Sequence, residues 1–282
     1  MATDGSRLAG SAIRVARLMA DAGRWAPQAL TVLEPLPVAV ADVSLGPPAL
    51  AYQQGITEGL LGAIQGQLAH GGGSDWKLAV QFGRAAPVIA RCAREAHADF
   101  IVLGLGKHGK LARLAGAETA ARVVRLTDVP VLAVGESVRK LPSVAVVGMD
   151  FGDSSSRAAR EALTLLQPPG VLHLLHVRWA VNGQTLGDSA WERTYADGVH
   201  RGFERVLREL GTRDGIKITT EYVKGDVVET ILGAAKRLNA DLIAVGSHSQ
   251  TVIDRLLIGS TPAQLLRVAP HSVLIAAPTG VE

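Results

Sequence analysis

The sequence predicts an α/β chain built as two tandem, doubly wound parallel-sheet domains, and three observations predict it. One pattern recurs at an offset of 142 residues. Within each copy, short apolar runs of strand length alternate with amphipathic stretches of helical period, the signature of strand–helix–strand units. The 282 residues are 48% hydrophobic but only 4% aromatic, a mix that suits parallel strands buried under helices better than an aromatic-rich sandwich.

The repeat is clearest where residues 83–107, GRAAPVIARCAREAHADFIVLGLGK, align without a gap with 225–249, GDVVETILGAAKRLNADLIAVGSHS. Gly83 meets Gly225, Ile89 meets Ile231, Ala93 meets Ala235, Ala98-Asp99 meets Ala240-Asp241, and Gly104 meets Gly246. Each copy reads as an amphipathic helix, an Ala-Asp step and an apolar strand that ends in glycine. The aspartates of that step follow a helix end in both copies, which marks them as structural. The same offset sets Thr119 against Thr261, each expected to precede a helix that leads into a last strand at 129–134 or 272–276.

Earlier elements agree. Asp4 and Asp150 each end a first strand and precede an Ala-rich helix, and second strands follow at 29–33 and 171–177. Residues 135–143, GESVRKLPS, carry the Gly, Pro and charge of a linker. The division is a first domain at 1–137, a linker at 138–143 and a second domain at 144–282. Val144-Ala-Val-Val147 leads up to Asp150, whereas only Met1, Ala2 and Thr3 precede Asp4. A first strand is central in such a sheet, and its truncation leaves buried backbone groups without partners; the expectation is that the natural start lies upstream.

Composition excludes several functions. A net charge of +3, with no run of Lys or Arg interleaved with aromatics, gives no footprint for nucleic acid. The single cysteine, Cys92, lies in an apolar helical pattern with Val88 and Ile89 and reads as a buried small hydrophobe, with no disulfide or CxxC metal site. No leader pattern opens the chain, and no apolar run approaches the ~20 residues that cross a bilayer. A cytoplasmic protein is expected. His173 and His176 flank two leucines on a strand and lack the spacing of metal ligands.

Ligands of open parallel sheets bind beyond the carboxyl ends of the strands, where the strand order reverses. In the second copy that place is Val245-Gly246-Ser247-His248-Ser249, followed after 250–258 by Gly259-Ser260-Thr261-Pro262. Thr261 before Pro262 reads as a helix N-cap, and a helix amino end favours a phosphate. Gly246 and Gly259 are expected to let backbone approach a ligand without a Cβ in the way.

These residues resemble the universal stress protein family, whose ATP-binding members carry G-x2-G-x9-G-[ST] at this place; the resemblance spans the chain as a tandem pair of such domains. It implies a Rossmann-like, adenine nucleotide alpha hydrolase-like fold. It further implies that Asp150 and the Val177 backbone face adenine, with Val245 beside them. Gly246, His248 and Ser249 then line the ribose and phosphate path, and Gly259, Ser260 and Thr261 hold the phosphates of ATP or AMP. Mg²⁺ would arrive with the nucleotide. Ser249 stands where the motif has its second glycine, a side chain that either crowds the phosphates or donates to them. The resemblance also implies an internal pseudo-dimer through the last strands, 131–134 and 273–276, with a further homodimer open.

The first copy departs more. Its projected motif is Gly104-Leu105-Gly106-Lys107, then Ala117-Glu118-Thr119, and Glu118 sets a carboxylate where the second copy has Ser260. A like charge ~4 Å from a phosphate costs about 1–4 kcal/mol, which Lys107, Lys110 and Arg113 can offset; poor triphosphate binding is expected. Gly104, Gly106 and Gly109 spell a dinucleotide fingerprint, but after the fourth strand of the unit and not the first. No P-loop, nucleophile triad or paired carboxylates mark an enzyme. The function expected is a nucleotide-binding stress-response regulator without efficient catalysis. The alternatives are a scaffold without nucleotide, and an ATP pyrophosphatase-like enzyme suggested by the faint SGGxDS likeness of residues 151–155.

Overall fold

A computed structural model describes residues 1–6, 9–34, 47–105, 110–179, 189–247 and 259–278, with side chains throughout these except at 47–56, 110–115 and 189–190. In the second half the order is β5 (Val144–Gly148), α5 (Asp153–Leu165), β6 (Gly170–Trp179), α6 (Ser189–Leu210), β7 (Ile216–Gly225), α7 (Val227–Arg237), β8 (Leu242–Gly246), α8 (Ser260–Val268) and β9 (Ser272–Ala276). The strands lie in the order β7-β6-β5-β8-β9, all parallel. Sheet growth reverses at β5, which starts the unit and is flanked on both sides. β5, β8 and β9 are apolar at nearly every position, as strands covered on both faces must be.

The first half follows the same plan with α1 (Ala9–Asp21), β1 (Ala29–Leu33), α2 (Pro47–His70), β2 (Leu78–Phe82), α3 (Ala85–Glu95), β3 (Ile101–Leu105), α4 (Lys110–Leu126) and β4 (Val131–Gly135). β1 pairs with β2 and β3 with β4, all parallel. The place that β5 holds in the second half is taken here by Met1–Thr3 alone. Ala2 donates its amide to Val102, Thr3 donates to Leu30, and Leu30 donates back to Met1, at 2.9–3.0 Å. Three residues thus join β1 to β3. A cavity of ≈ 350 Å³ lies beside them, lined by Met1, Gln28 and Phe100 among others.

The last strands of the halves, β4 and β9, pair antiparallel, Leu132 opposite Leu274. This seam makes one sheet, β3-β4-β9-β8-β5-β6-β7, and two apolar layers cover its faces. One gathers α1 and α5 with Leu132, Val147 and Leu274; the other gathers α3, α4, α7 and α8 with Leu103, Val131, Ile243 and Val273. Arg157 of α5 ties the halves at the surface, donating to the carbonyls of Asp128 and Ala277.

The linker is held by Asp241, whose carboxylate accepts from the Ser143 amide, the Ser143 hydroxyl and the Val144 amide at 2.8–3.1 Å. Burial alone would raise its pKa, but these bonds outweigh burial and hold it below the ordinary carboxylate value. A depressed folded pKa means stability that is present above the unfolded pKa and lost as pH falls through the folded one. Asp241→Ala is expected to cost about 1–3 kcal/mol at neutral pH. In urea denaturation the gap from the parent chain should begin to narrow once the medium is more acid than the ordinary aspartate value of 3.8 and go on narrowing as pH falls further.

Candidate functional site

β5 leaves the sheet after Gly148, while β6 runs on to Trp179 and β8 to Gly246. The strands on either side therefore project beyond it, and the gap is a crevice of ≈ 390 Å³. Its walls include Asp150, Val177, Val245, Gly246, Gly259, Ser260 and Thr261. Seven of the nine residues singled out in the sequence thus meet in one place; His248 and Ser249 lie outside the described residues.

The two arms of the glycine motif are closed by one backbone bond: the Gly259 amide donates to the Ser247 carbonyl at 2.9 Å, and the Ser247 amide donates to Ala276 at 2.8 Å. That bond sets the start of α8 against the end of β8. The N-cap is Gly259, in extended conformation, and not Thr261. Ser260 and Thr261 are the first helical residues, and Pro262, which lacks an amide, fits the first turn that follows. First-turn amides have no acceptor within their own helix, so those of Ser260 and Thr261 are free of intrahelical bonds at the crevice wall.

Packing alone requires a glycine at 246. A Cβ on it would lie 2.7 Å from Ser154 Cβ and 2.9 Å from the Ser155 amide nitrogen; the end of β8 packs directly on the first turn of α5. Gly259 has room, the nearest atoms to its Cβ being Ser247 O at 3.4 Å and Pro262 Cδ at 3.5 Å.

Asp150 is held by α5. One carboxylate oxygen accepts from the Gly152 amide at 3.0 Å and the Ser155 hydroxyl at 2.6 Å. Its neighbours are fixed from the other side. His176 donates through Nδ1 to the Met149 carbonyl at 2.7 Å, and its Nε2 accepts from Tyr195 Oη at 2.9 Å. Phe151 follows in left-handed conformation, φ 64°, uncommon away from glycine. Its ring stacks on His176 at 4.9 Å, meets Phe203 edge-on at 5.0 Å and lies on Gly202, where a Cβ would come within 2.7 Å of it. Arg205 donates to its carbonyl. This aromatic column was missed in the sequence, where the partners are scattered over 151, 176, 195 and 203; the only local signal was His176 itself. Buried His173 lies on the opposite face, its ring nitrogens on Thr219 and Glu221 at 2.8 and 2.7 Å.

In the first half the corresponding crevice is present, ≈ 440 Å³, with Asp4, Val32, Ile89, Leu103 and Gly104 at the matching positions. Gly5 takes the left-handed position of Phe151, φ 74°. The arm that carries the projected motif differs in kind. Ala117, Glu118 and Thr119 do not precede a helix: α4 starts at Lys110, eight residues before the counterpart of Ser260. No Pro follows Thr119, and 110–118 is rich in Ala, Leu, Lys and Arg, good helix formers. The amides of 117–119 are therefore inside the helix. Glu118 pairs with Arg122 at 2.5 Å. Gly106, Lys107 and Gly109 lie outside the described residues, as do the side chains of Lys110 and Arg113.

The universal stress protein family model matches residues 1–135 and again 144–277. The chain belongs to that family, as a tandem pair of its domains with the Rossmann-like, adenine nucleotide alpha hydrolase-like fold. Among curated relatives, universal stress protein Slr1230 of Synechocystis is 26% identical over 192 residues, 65% of this chain and 60% of the relative, so the match spans less than two thirds of that protein. Universal stress protein G of Salmonella typhimurium is 30% identical over 131 residues, 43% of this chain and 87% of the relative. A universal stress protein of Archaeoglobus fulgidus has the same fold over 100% of this chain and 96% of its own, with TM-score 0.66 at 19% identity. Among the described residues no helix is long and apolar enough to cross a membrane, and no group of three or more His, Cys, Asp or Glu is placed to hold a metal ion.

Two tests follow from this geometry. Gly246→Ala is expected to destabilise the fold by about 1–3 kcal/mol, read as a lower denaturation midpoint with unchanged slope. For His176, burial lowers the pKa against the opposing pull of the Met149 carbonyl and Asp150. The unfolded chain then takes up a proton more readily than the folded one, so stability falls as pH drops through the unfolded value of 6.5. Urea titrations from neutral pH to about pH 5 should show a loss that is smaller in His176→Asn.

Proposed function

We propose that the second half binds an adenine nucleotide, ATP or AMP, and that the protein is a stress-response regulator of the universal stress type without efficient catalysis. The observation that carries this reading is the amino end of α8, fastened to β8 through Gly259 and Ser247, in a crevice whose far wall is Asp150. The α8 end offers amides without intrahelical acceptors, and partial positive charge, to a phosphate. Asp150 repels an anion and accepts from hydroxyl or amino donors, so the ligand is oriented with its anionic tail toward α8 and its sugar and base toward Asp150 and Val177. His248 and Ser249 complete the assignment from the sequence. Magnesium enters with the nucleotide's own oxygens. Seven of the assigned residues share one crevice, which favours this reading over a scaffold without ligand. The start of α5 at Asp153 puts the weak SGGxDS likeness into a helix amino end, without the paired carboxylates that an ATP pyrophosphatase-like reaction calls for. The β4–β9 seam supports an internal pseudo-dimer of the two domains, in a cytoplasmic protein.

Titration calorimetry with ATP tests the site. The parent chain and Gly259→Ala, whose added Cβ meets only ordinary contacts, should bind with one site per chain. Gly259→Glu should bind at least about tenfold more weakly, the effect of a carboxylate beside a phosphate. Equal affinities for parent and Gly259→Glu would remove the phosphate site from α8.

A further inference from the structure

The cavity beside residues 1–3 lies at the amino ends of β1 and β3, away from the crevice at their carboxyl ends, and it has the outline of a strand. Two of its walls are strand edges, residues 26–28 leading into β1 and 100–102 at the start of β3. The other two are helix faces, Met19 of α1 against one side of the sheet and Ile89 of α3 against the other.

The second half holds the same slot filled. Pairing of Ala2 with Leu30 and of Gly148 with Leu175 sets residues 26–28 against 171–173, and the 142 offset sets Phe100 and Ile101 against Leu242 and Ile243. Those counterparts are the partners of Val144, Ala145 and Val146 in β5. Covered by helices on both faces, these three are apolar without alternation.

The ladder is unfinished in the first half. β3 bonds to β4 through its odd-numbered residues, Ile101 donating to Pro130, while Val102 points the other way, its carbonyl accepting from Ala2. The N–H and C=O of one strand residue share a side, so the Val102 amide also faces the cavity. Val102 is 4% exposed, and neither β4 nor residues 1–3 give its amide an acceptor. A buried amide left without a partner is costly. A small apolar molecule in the cavity would leave it so, whereas a strand carbonyl on that rung would meet it.

We propose that this slot takes an extended apolar segment of another polypeptide, three residues deep, added as a parallel strand between β1 and β3. Three strand residues span about 10 Å. A donated strand brings backbone partners for the open edges and side chains for the pockets between the helix faces. Its chemistry is that of residues 144–146: small, apolar, uncharged, with an amide at every position. The partner is a chain that offers such a stretch unpaired, in an unfolded region or at a loose terminus. The inference is independent of nucleotide binding.

The probe is the pentapeptide Pro-Ser-Val-Ala-Val, the chain's own residues 142–146, amidated at its carboxyl end and labelled with fluorescein at its amino end. Fluorescence anisotropy with the full chain should show one saturable site, and hydrogen exchange at the Val102 amide should slow when the peptide is bound. The same peptide with proline for its alanine, which lacks a ladder donor, should bind at least about tenfold more weakly. Ala93→Phe, and Ala96→Trp from the exposed edge, each put a ring into the cavity and should weaken binding of the original peptide to a like degree. No saturable binding, equal binding of the proline peptide, or binding that survives both substitutions would each overturn the inference. So would native protein that carries residues ahead of Met1 and shuts the peptide out, the slot then being filled by the chain itself.

Discussion

The candidate site depends on β5 stopping short. A parallel sheet whose central strand leaves at Gly148 while β6 and β8 continue must open a gap there, and what fills the gap is decided by how closely the flanking chain can be brought in. Two contacts do this. Gly246 lets the end of β8 rest on the first turn of α5 with no Cβ between them, and the bond from the Gly259 amide to Ser247 brings α8 alongside. With a side chain at 246, α5 is pushed away and Asp150, whose carboxylate is anchored to Gly152 and Ser155 in that turn, moves with it. Packing and crevice geometry are one constraint at this point.

The sequence carried the fold because the fold is written twice. A gapless match between 83–107 and 225–249 fixes a helix and a strand in both halves, and apolar runs at 144–147 and 273–276 are long enough to be recognised without context. The helix starts were harder to read. Thr before Pro262 has the chemistry of an N-cap, yet α8 begins two residues earlier because Gly259 can supply the extended turn while its own amide is occupied by Ser247. In the first half the strong helical propensity of 110–118 draws α4 past the projected motif. An offset between repeats transfers the position of a residue but not the hydrogen-bonding state of its amide.

The aromatic column shows a different limit. Phe151, His176, Tyr195 and Phe203 come from a turn, a strand and a helix, and nothing in their spacing joins them. Their meeting is set by the rotation of α6 over β6, a tertiary fact. Its counterpart in the first half is missing: Gly5 stands for Phe151 and Thr31 for His176. The turn after the first strand is thus braced by rings in one half and by glycine's freedom in the other.

The antiparallel seam between β4 and β9 has a consequence for how the halves relate. Strands within each half run parallel, and the seam reverses their sense, so the carboxyl ends of β3 and β4 point along one edge of the joined sheet and those of β5, β8 and β9 along the other. The two crevices therefore open on opposite rims. The shortest backbone route between them runs lengthwise along β4 and β9, strands of five residues each, roughly 17 Å of chain that is paired on both sides and has little freedom to bend.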